Sequence, residues 1–281
     1  MQSESFLALE GQHVLITGAS GGIGLTLARK YLLQGANVTL HYNSNSKTLD
    51  HLLTEFTTKT FACQADATDE LSISSLLFKA NERFGVVNIL VANHGRSDVE
   101  NVEIAEMSLD RWKKTLDVNL TGVFLFVREF LRQMKAFLKT ISKQQFDEFR
   151  ECSIVIIGST AGKFGEAYHA EYAASKSALM YGFTRSLKNE IVKIHPRARV
   201  NVVAPGWVRT PLAEESLKRG EHHKALQTMP LLKIATPEDV ANGVMFLSSS
   251  KSAGHTSGNI LEVDGGMEGR VLNSLEDVKN K

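Results

Sequence analysis

Tyr172 and Lys176 stand four residues apart in a stretch, Ala170–Ile194, whose apolar periodicity predicts a helix. Residues at i and i+4 share one helix face, one turn apart, so an ammonium would sit beside a phenol. A neighbouring cation favours the phenolate and lowers the phenol's pKa from about 10 toward working pH. A phenol tuned in this way can protonate a carbonyl oxygen or deprotonate an alcohol. Tyr-x-x-x-Lys alone is common and usually marks a surface pair. Here it is preceded by Ser159, thirteen residues before the tyrosine at the end of an apolar run, and by a glycine-rich turn near the start of the chain.

That turn reads Thr17-Gly18-Ala19-Ser20-Gly21-Gly22-Ile23-Gly24, between an apolar run and an apolar-periodic helix. Glycine after a strand permits a tight turn and close approach of a pyrophosphate, and a further glycine lets the helix pack on the strand. The helix N-terminus then offers unpaired N–H groups and a positive dipole end to the phosphates. An ordinary glycine-rich βα turn is the plainer alternative.

The elements that would position these residues alternate along the whole chain. Short Val/Ile-rich runs at His13–Thr17, Asn37–Tyr42, Thr60–Gln64, Asn88–Ala92, Ser153–Gly158, Arg199–Val203 and Ile260–Val263 predict strands buried on both faces. Helical patterns at Ile23–Gln34, Glu70–Phe84, Leu109–Leu138, Ala170–Ile194 and Pro237–Ser248 lie between them. The alternation predicts an α/β fold, a single Rossmann domain over residues 1–281 with a doubly wound, parallel, seven-stranded sheet and helices on both faces. Two regions are less regular: Lys139–Glu151 continues a helical pattern, giving a helical extension over about 135–151, and Glu214–Thr228 is charged, within a substrate loop over about 207–229.

Composition excludes several function classes. With 32 basic and 31 acidic side chains, no global field draws the chain to nucleic acid or an anionic membrane. No apolar stretch reaches membrane-spanning length, and MQSESFLALE has neither the basic start of a secretory signal nor the arginines of a transit peptide, so a cytoplasmic location is expected. Cys63 and Cys152 lack CxxC spacing and are expected as buried free thiols; His222 and His223 are expected to be solvated, and no metal site is foreseen.

The spacing Gly18-x-x-x-Gly22-x-Gly24 resembles the TGxxxGxG signature of the short-chain dehydrogenase/reductase family. The resemblance extends from about Gly11 to Met267. It takes in Asp66 after the third strand, Ala92-Asn93-His94-Gly95 at the family's NNAG position, Asn119 in a helix, Ser159, Tyr172 and Lys176, Pro205-Gly206, Thr236–Ala241 and Val263-Asp264-Gly265-Gly266. Ala92 and His94 are departures from the pattern; a packing role is expected for His94 before an acid–base one. The resemblance implies an NAD(P)(H)-dependent oxidoreductase acting on a carbonyl or secondary alcohol. Tyr172 would exchange the proton, Lys176 would hold the nicotinamide ribose and support the phenol, Ser159 would orient the substrate oxygen, and Asn119 would hold a relay water. It assigns the cofactor to Gly18, Ser20, Gly22, Ile23, Gly24, Tyr42, Asn43, Ser44, Asp66, Ala67, Asn93, Gly95, Tyr172, Lys176, Pro205, Gly206, Val208 and Thr210.

An acidic side chain about 20 residues past the glycine motif would grip the ribose 2′-hydroxyl and repel a 2′-phosphate. That count lands on Tyr42, and no Asp or Glu occurs before Asp50. Asn43, Ser44 and Ser46 offer hydrogen bonds, with Lys47 nearby, so NADP(H) is expected in preference to NAD(H). No arginine follows the strand, however, and Ser20 replaces a basic residue often found in the glycine loop. The substrate is open between a 3-oxoacyl-carrier-protein and a general ketone or polyol. An acyl carrier protein could dock on the stripe Arg128, Arg132, Lys135 and Lys139, though a solvated helix face is the plainer reading. A homotetramer, with a homodimer second, is the assembly the family implies. The competing classes are a non-catalytic dinucleotide-binding sensor and an epimerase or dehydratase of the related extended family; the latter differs in glycine spacing and C-terminal length.

Overall fold

The computed structural model describes residues 6–149 and 151–279. Met1–Ser5 of the acidic N-terminal stretch, Arg150 of the extension, Asn280 and Lys281 lie outside the described residues.

Seven parallel strands form one sheet: β1 (His13–Ile16), β2 (Asn37–Tyr42), β3 (Thr60–Gln64), β4 (Ile89–Ala92), β5 (Ser153–Ile157), β6 (Arg199–Pro205) and β7 (Ile260–Val263). Their order is β3-β2-β1-β4-β5-β6-β7, the doubly wound arrangement expected. Each strand feeds a crossover that returns it parallel to the last, which requires helices on the faces and therefore apolar residues on both sides of the strand. Accordingly β1, β4, β5 and β6 are buried at every residue. Alternation divides them between two cores: Leu15, Leu90, Ile154, Ile156, Val200 and Val202 face one side, and Val14, Ile16, Ile89, Val91, Val155 and Val203 the other. Helices Glu70–Phe84 and Gly122–Leu138 cover the first side; Gly22–Leu33 and Pro237–Ser248 cover the second.

Local chemistry sets several boundaries. Thr236 and Asp239 form a reciprocal capping box and Pro237 occupies the first turn, which starts the Pro237–Ser248 helix where its sequence requires. That helix ends against Arg199, whose guanidinium donates to the carbonyls of Leu247, Ser248 and Ala253 at 2.7, 2.8 and 3.2 Å. The predicted helix Leu109–Leu138 is interrupted by a wider π-turn at Asp117–Thr121, and Ala170–Ile194 by another at Ala178–Phe183.

The extension differs from a continued helix. The helix stops at Leu138, and Ser142 caps a separate helix, Lys143–Glu148. Phe146 and Phe149 pack on His195, with ring centroids 4.7 and 5.5 Å away, so the segment folds back onto its own subunit. Three smaller expectations also change. Cys63 is only partly buried, because β3 is the sheet edge, while Cys152 is buried; both are free. His222 is buried beside Trp207 and His223 rather than solvated. Arg128 and Arg132 both reach Glu70, at 2.6 and 3.3 Å, so the basic stripe is partly neutralised. Among the described residues no helix is long and apolar enough to cross a membrane, and no His/Cys/Asp/Glu group can hold a metal ion.

Past β7, residues 268–279 return to the loop that follows β6. Asn273 donates its side-chain amide to the carbonyls of Leu226 and Met229 at 3.2 and 2.9 Å. Val278 is fully buried in a small cluster with Ala225, Leu226 and Met229.

Three buried histidines hold the strands and turns near β1. In His13, His41 and His94, one ring N–H donates to a carbonyl (Gly85, Ala65 and Val118) and the other nitrogen accepts from Thr39 Oγ1, Gly18 N–H and Thr17 Oγ1. A second proton on the His41 ring would face the Gly18 N–H, and one on the His94 ring a Thr17 hydroxyl oxygen that already accepts the Asn93 and His94 N–H groups. Burial, the largest cause in each, lowers the pKa from 6.5 to about 4 for His13 and His41 and about 3 for His94. The unfolded chain therefore binds more protons below its pKa of about 6.5, so this stability is complete above that pH and is lost as pH falls toward 4. Melting temperature should fall steadily from pH 7 to pH 4.5, and less steeply for His13→Gln; a flat wild-type profile would contradict the assignment of neutral rings.

Candidate active site

The carboxyl ends of β1, β4, β5 and β6 open on one crevice, at the point where strand order reverses between β1 and β4. Open α/β sheets bind ligands at this point. After β1 the chain turns through Gly18, whose φ of +63° suits glycine and whose missing side chain admits the His94 backbone; an added Cβ would meet His94 Cα at 2.9 Å. At Gly24 a Cβ would lie 2.3 Å from the Gly18 carbonyl oxygen, so the helix Gly22–Leu33 rests directly on the turn. This helix has no side-chain cap and no acidic residue in its first turn. Its first N–H groups are therefore available to an anion.

A cavity of about 310 Å³ extends from this turn. Ile23, Asn93, Gly95, Ser159, Tyr172, Lys176, Pro205, Gly206, Val208 and Thr210 all line it, which brings together the expected nicotinamide-side residues. Gly18, Ser20, Gly22 and Gly24 form the adjoining turn. Tyr42 ends β2, Asn43 and Ser44 follow it, and Asp66 and Ala67 follow β3, outside the cavity. Asn43 and Ser44 are exposed. Asp66 is exposed too, with one carboxylate oxygen held by the Thr68 N–H and hydroxyl at 2.8 and 2.7 Å.

Asn119 is fully buried behind the cavity, in the first π-turn. Its side chain accepts from Arg96 N–H at 2.7 Å and donates to Arg96 O at 2.9 Å and Ser175 Oγ at 3.3 Å. It thus ties the loop after β4 to the Ala170–Ser177 helix. His94 caps the same π-turn through Val118 O and stacks with Phe126, a packing position.

Tyr172 and Lys176 share a face of the Ala170–Ser177 helix, with the ammonium 5.7 Å from the phenol ring centroid. Lys176 Nζ donates to Ile157 O at 2.8 Å, and burial lowers its pKa to about 8. A Cβ on Gly95 would lie 3.5 Å from Asn119 Oδ1 and 3.6 Å from Lys176 Nζ. The glycine therefore leaves open the space a ribose would need beside the ammonium. With the uncapped helix turn, this gap fits a dinucleotide. Tyr172 departs from expectation: burial pushes its pKa up to about 12, hydrogen bonding to Ser159 pulls it partly back, and the charge of Glu166 raises it. Burial dominates, so the phenol is protonated across the neutral range.

The cavity's other wall includes Trp207 and Glu221, which belong to the expected substrate loop over about 207–229, and Arg96, Asp98, Glu166, His169 and Met267, which the sequence did not single out. Behind this wall Glu171 is fully buried and receives Arg111 Nε at 2.8 Å, linking the Leu109–Leu116 helix to the one bearing Tyr172.

The family model described as short chain dehydrogenase matches residues 12–220. A 3-oxoacyl-[acyl-carrier-protein] reductase of Synechocystis is 31% identical over 263 residues, covering 92% of this chain and 98% of the relative. A glucose 1-dehydrogenase 2 of Bacillus subtilis is 30% identical, covering 92% and 95%. The crystal structure of a short-chain dehydrogenase/reductase (glucose/ribitol dehydrogenase) from Brucella melitensis superposes with TM-score 0.78 at 30% identity, covering 92% of this chain and 96% of that one. A matched family model over most of the chain, relatives of nearly full coverage and the same sheet together establish that this chain belongs to the short-chain dehydrogenases, enzymes of nicotinamide-dependent oxidation and reduction.

Proposed function

We propose that the chain is a single-domain, NADP(H)-dependent carbonyl reductase with Tyr172 as its general acid. The observation that carries this reading is the convergence of Ser159, a protonated Tyr172 and a buried Lys176 on one cavity beside an uncapped helix N-terminus. When bound, the dinucleotide supplies the hydride. Ser159, whose Oγ accepts the Ala161 N–H at 3.1 Å and which hydrogen-bonds Tyr172, would turn its O–H to the substrate oxygen when substrate enters. Tyr172 gives its phenolic proton to that oxygen as negative charge builds on it. Lys176 has two roles, holding the ribose hydroxyls and stabilising the phenolate that remains. Asn119 fixes the floor on which a relay water would sit. The loop over about 207–229 closes the substrate side.

NADPH preference rests on the absence of a carboxylate at Tyr42–Lys47, the element that would repel a 2′-phosphate. The printed names of the relatives leave both an acyl thioester and a polyol open as substrate class. Arg128 and Arg132, already engaged by Glu70, weaken the case for an acidic carrier docking there. A non-catalytic sensor would have no use for the complete Ser–Tyr–Lys set.

For assembly, we infer a homotetramer, with a dimer second, formed through the helices over Leu109–Leu138 and Ala170–Ile194. Phe124 is exposed there and stacks edge-on with Phe183 at 6.5 Å, an apolar patch that a second copy would cover.

Tyr172→Phe should lower turnover about a hundred- to ten-thousand-fold while dinucleotide affinity is kept; near-wild-type turnover on a verified ketone contradicts the mechanism. In fluorescence titrations at physiological salt NADPH should bind more tightly than NADH, and the reverse order refutes the preference. Light scattering at micromolar concentration should give an assembly of four or two chains, and a monomer would end that proposal.

A further inference from the structure

The wall facing the cofactor side of the cavity carries more acid than base. Asp98, Glu166 and Glu221 line it, and Glu171 lies just behind. Their cations are already committed. Arg96 pairs with Asp98, Arg111 with Glu171 at 2.8 Å and Asp98 at 3.7 Å, and Arg219 with Glu221 at 2.8 Å. His169 adds no charge: its Nδ1 faces Arg111 Nη2 at 3.3 Å and accepts, so Nε2–H donates to Asn101 Oδ1 at 3.0 Å, which is the neutral ring. Four carboxylates thus share three guanidiniums. Glu166 is the one left over, with no hydrogen bond or ion pair to its carboxylate among the described residues.

Its position matters because Glu166 is close enough to Tyr172 for its charge to raise the phenol. Burial, and then the charges of Glu221 and Glu171, push the Glu166 carboxyl itself upward. A half-buried acceptor in that state gains most from a donor that arrives with the ligand. Phe164, Trp207, Leu212 and Met267 give the wall an apolar surface beside Ser97 and Ser216.

We propose that Glu166 is a specificity-determining residue that receives a hydrogen-bond donor, hydroxyl or ammonium, carried by the substrate away from its carbonyl. This rests on the reductase reading above. It favours a hydroxylated or amine-bearing ketone, and disfavours a substrate with a carboxylate at that place.

The test uses four rigid probes that differ at one position: cyclohexanones bearing methyl, hydroxyl, dimethylamino or carboxylate at carbon 4. Wild type and Glu166→Gln are compared by the kcat/KM of each probe relative to the methyl compound, which cancels any common effect on Tyr172. The relative value for the donor probes should fall about ten- to a hundred-fold in Glu166→Gln, the range of a charged hydrogen bond, and the carboxylate probe should gain. A larger fall for the dimethylamino probe identifies ammonium as the donor; equal falls for both identify a hydroxyl-type contact. If all four relative values stay unchanged, or the wild type prefers the carboxylate, the proposal is overturned. If wild type reduces none of them, the reductase reading is what fails, and calorimetric binding decides this proposal: trans-4-aminocyclohexanol should bind the wild type more tightly than trans-4-methylcyclohexanol and lose that advantage in Glu166→Gln. Equal binding of the two alcohols by the wild type rejects it.

Discussion

The site depends on burying the ammonium of Lys176 with no carboxylate paired to it among the described residues. A salt bridge there would hold the charge, but it would also take the donors that a ribose needs and dampen the field on Tyr172. The fold offers softer compensation: one carbonyl at the end of β5, the face of the Tyr172 ring, and an open gap at Gly95. That compensation is incomplete, as the lowered pKa of Lys176 records. A buried cation with spare donors is poised to gain from a polar ligand. The strand that supplies the carbonyl therefore has to be fixed, and β5 is central in the sheet and buried at every residue.

Precision around that cation comes from the two π-turns. Each widens a helix by one residue and frees backbone groups for outside partners. The first offers Val118 O to His94 and sets Asn119 against both Arg96 and Ser175, so the loop after β4 and the helix carrying Tyr172 move as one body. Arg111 and the buried Glu171 make a second link, between the Leu109–Leu116 helix and the helix carrying Tyr172. Breaking either would tilt the phenol relative to the sheet. A buried pair of this kind is weak evidence for stability but a strong geometric restraint.

Much of this was legible in the sequence. All seven strands were read within about two residues from their apolar runs, although only β1, β4, β5 and β6 are buried throughout and the edge strands β3 and β7 are partly exposed. The glycine turn and the helix bearing Tyr172 and Lys176 were legible because they carry particular residue types at fixed spacing. What the sequence hid has a physical reason in each case. Tyr172 was expected to be acidified by Lys176, yet desolvation, which depends on every neighbour, decides the balance. Glu166 follows no pattern, because a pocket wall built from four separate loops has no period. His222 looks like a surface residue in a charged segment, and only the packing of Trp207 and His223 around it encloses it. The Lys139–Glu151 stretch kept its helical pattern but began again at Ser142, since a capping box outweighs weak propensity.

The fastening of residues 268–279 onto Leu226, Gln227 and Met229 has a consequence for how such an enzyme can diverge. The loop over the cavity is held by a segment that lies past the last strand and shares no side chain with the cavity wall beyond Met267. Segments outside a sheet tolerate lengthening, shortening and substitution far better than the sheet does. Change there would alter how firmly the loop is held while leaving Ser159, Tyr172 and Lys176 where they are. The fastening of the loop and the side chains that line the cavity lie on separate stretches of the chain, so one can drift while the other is kept.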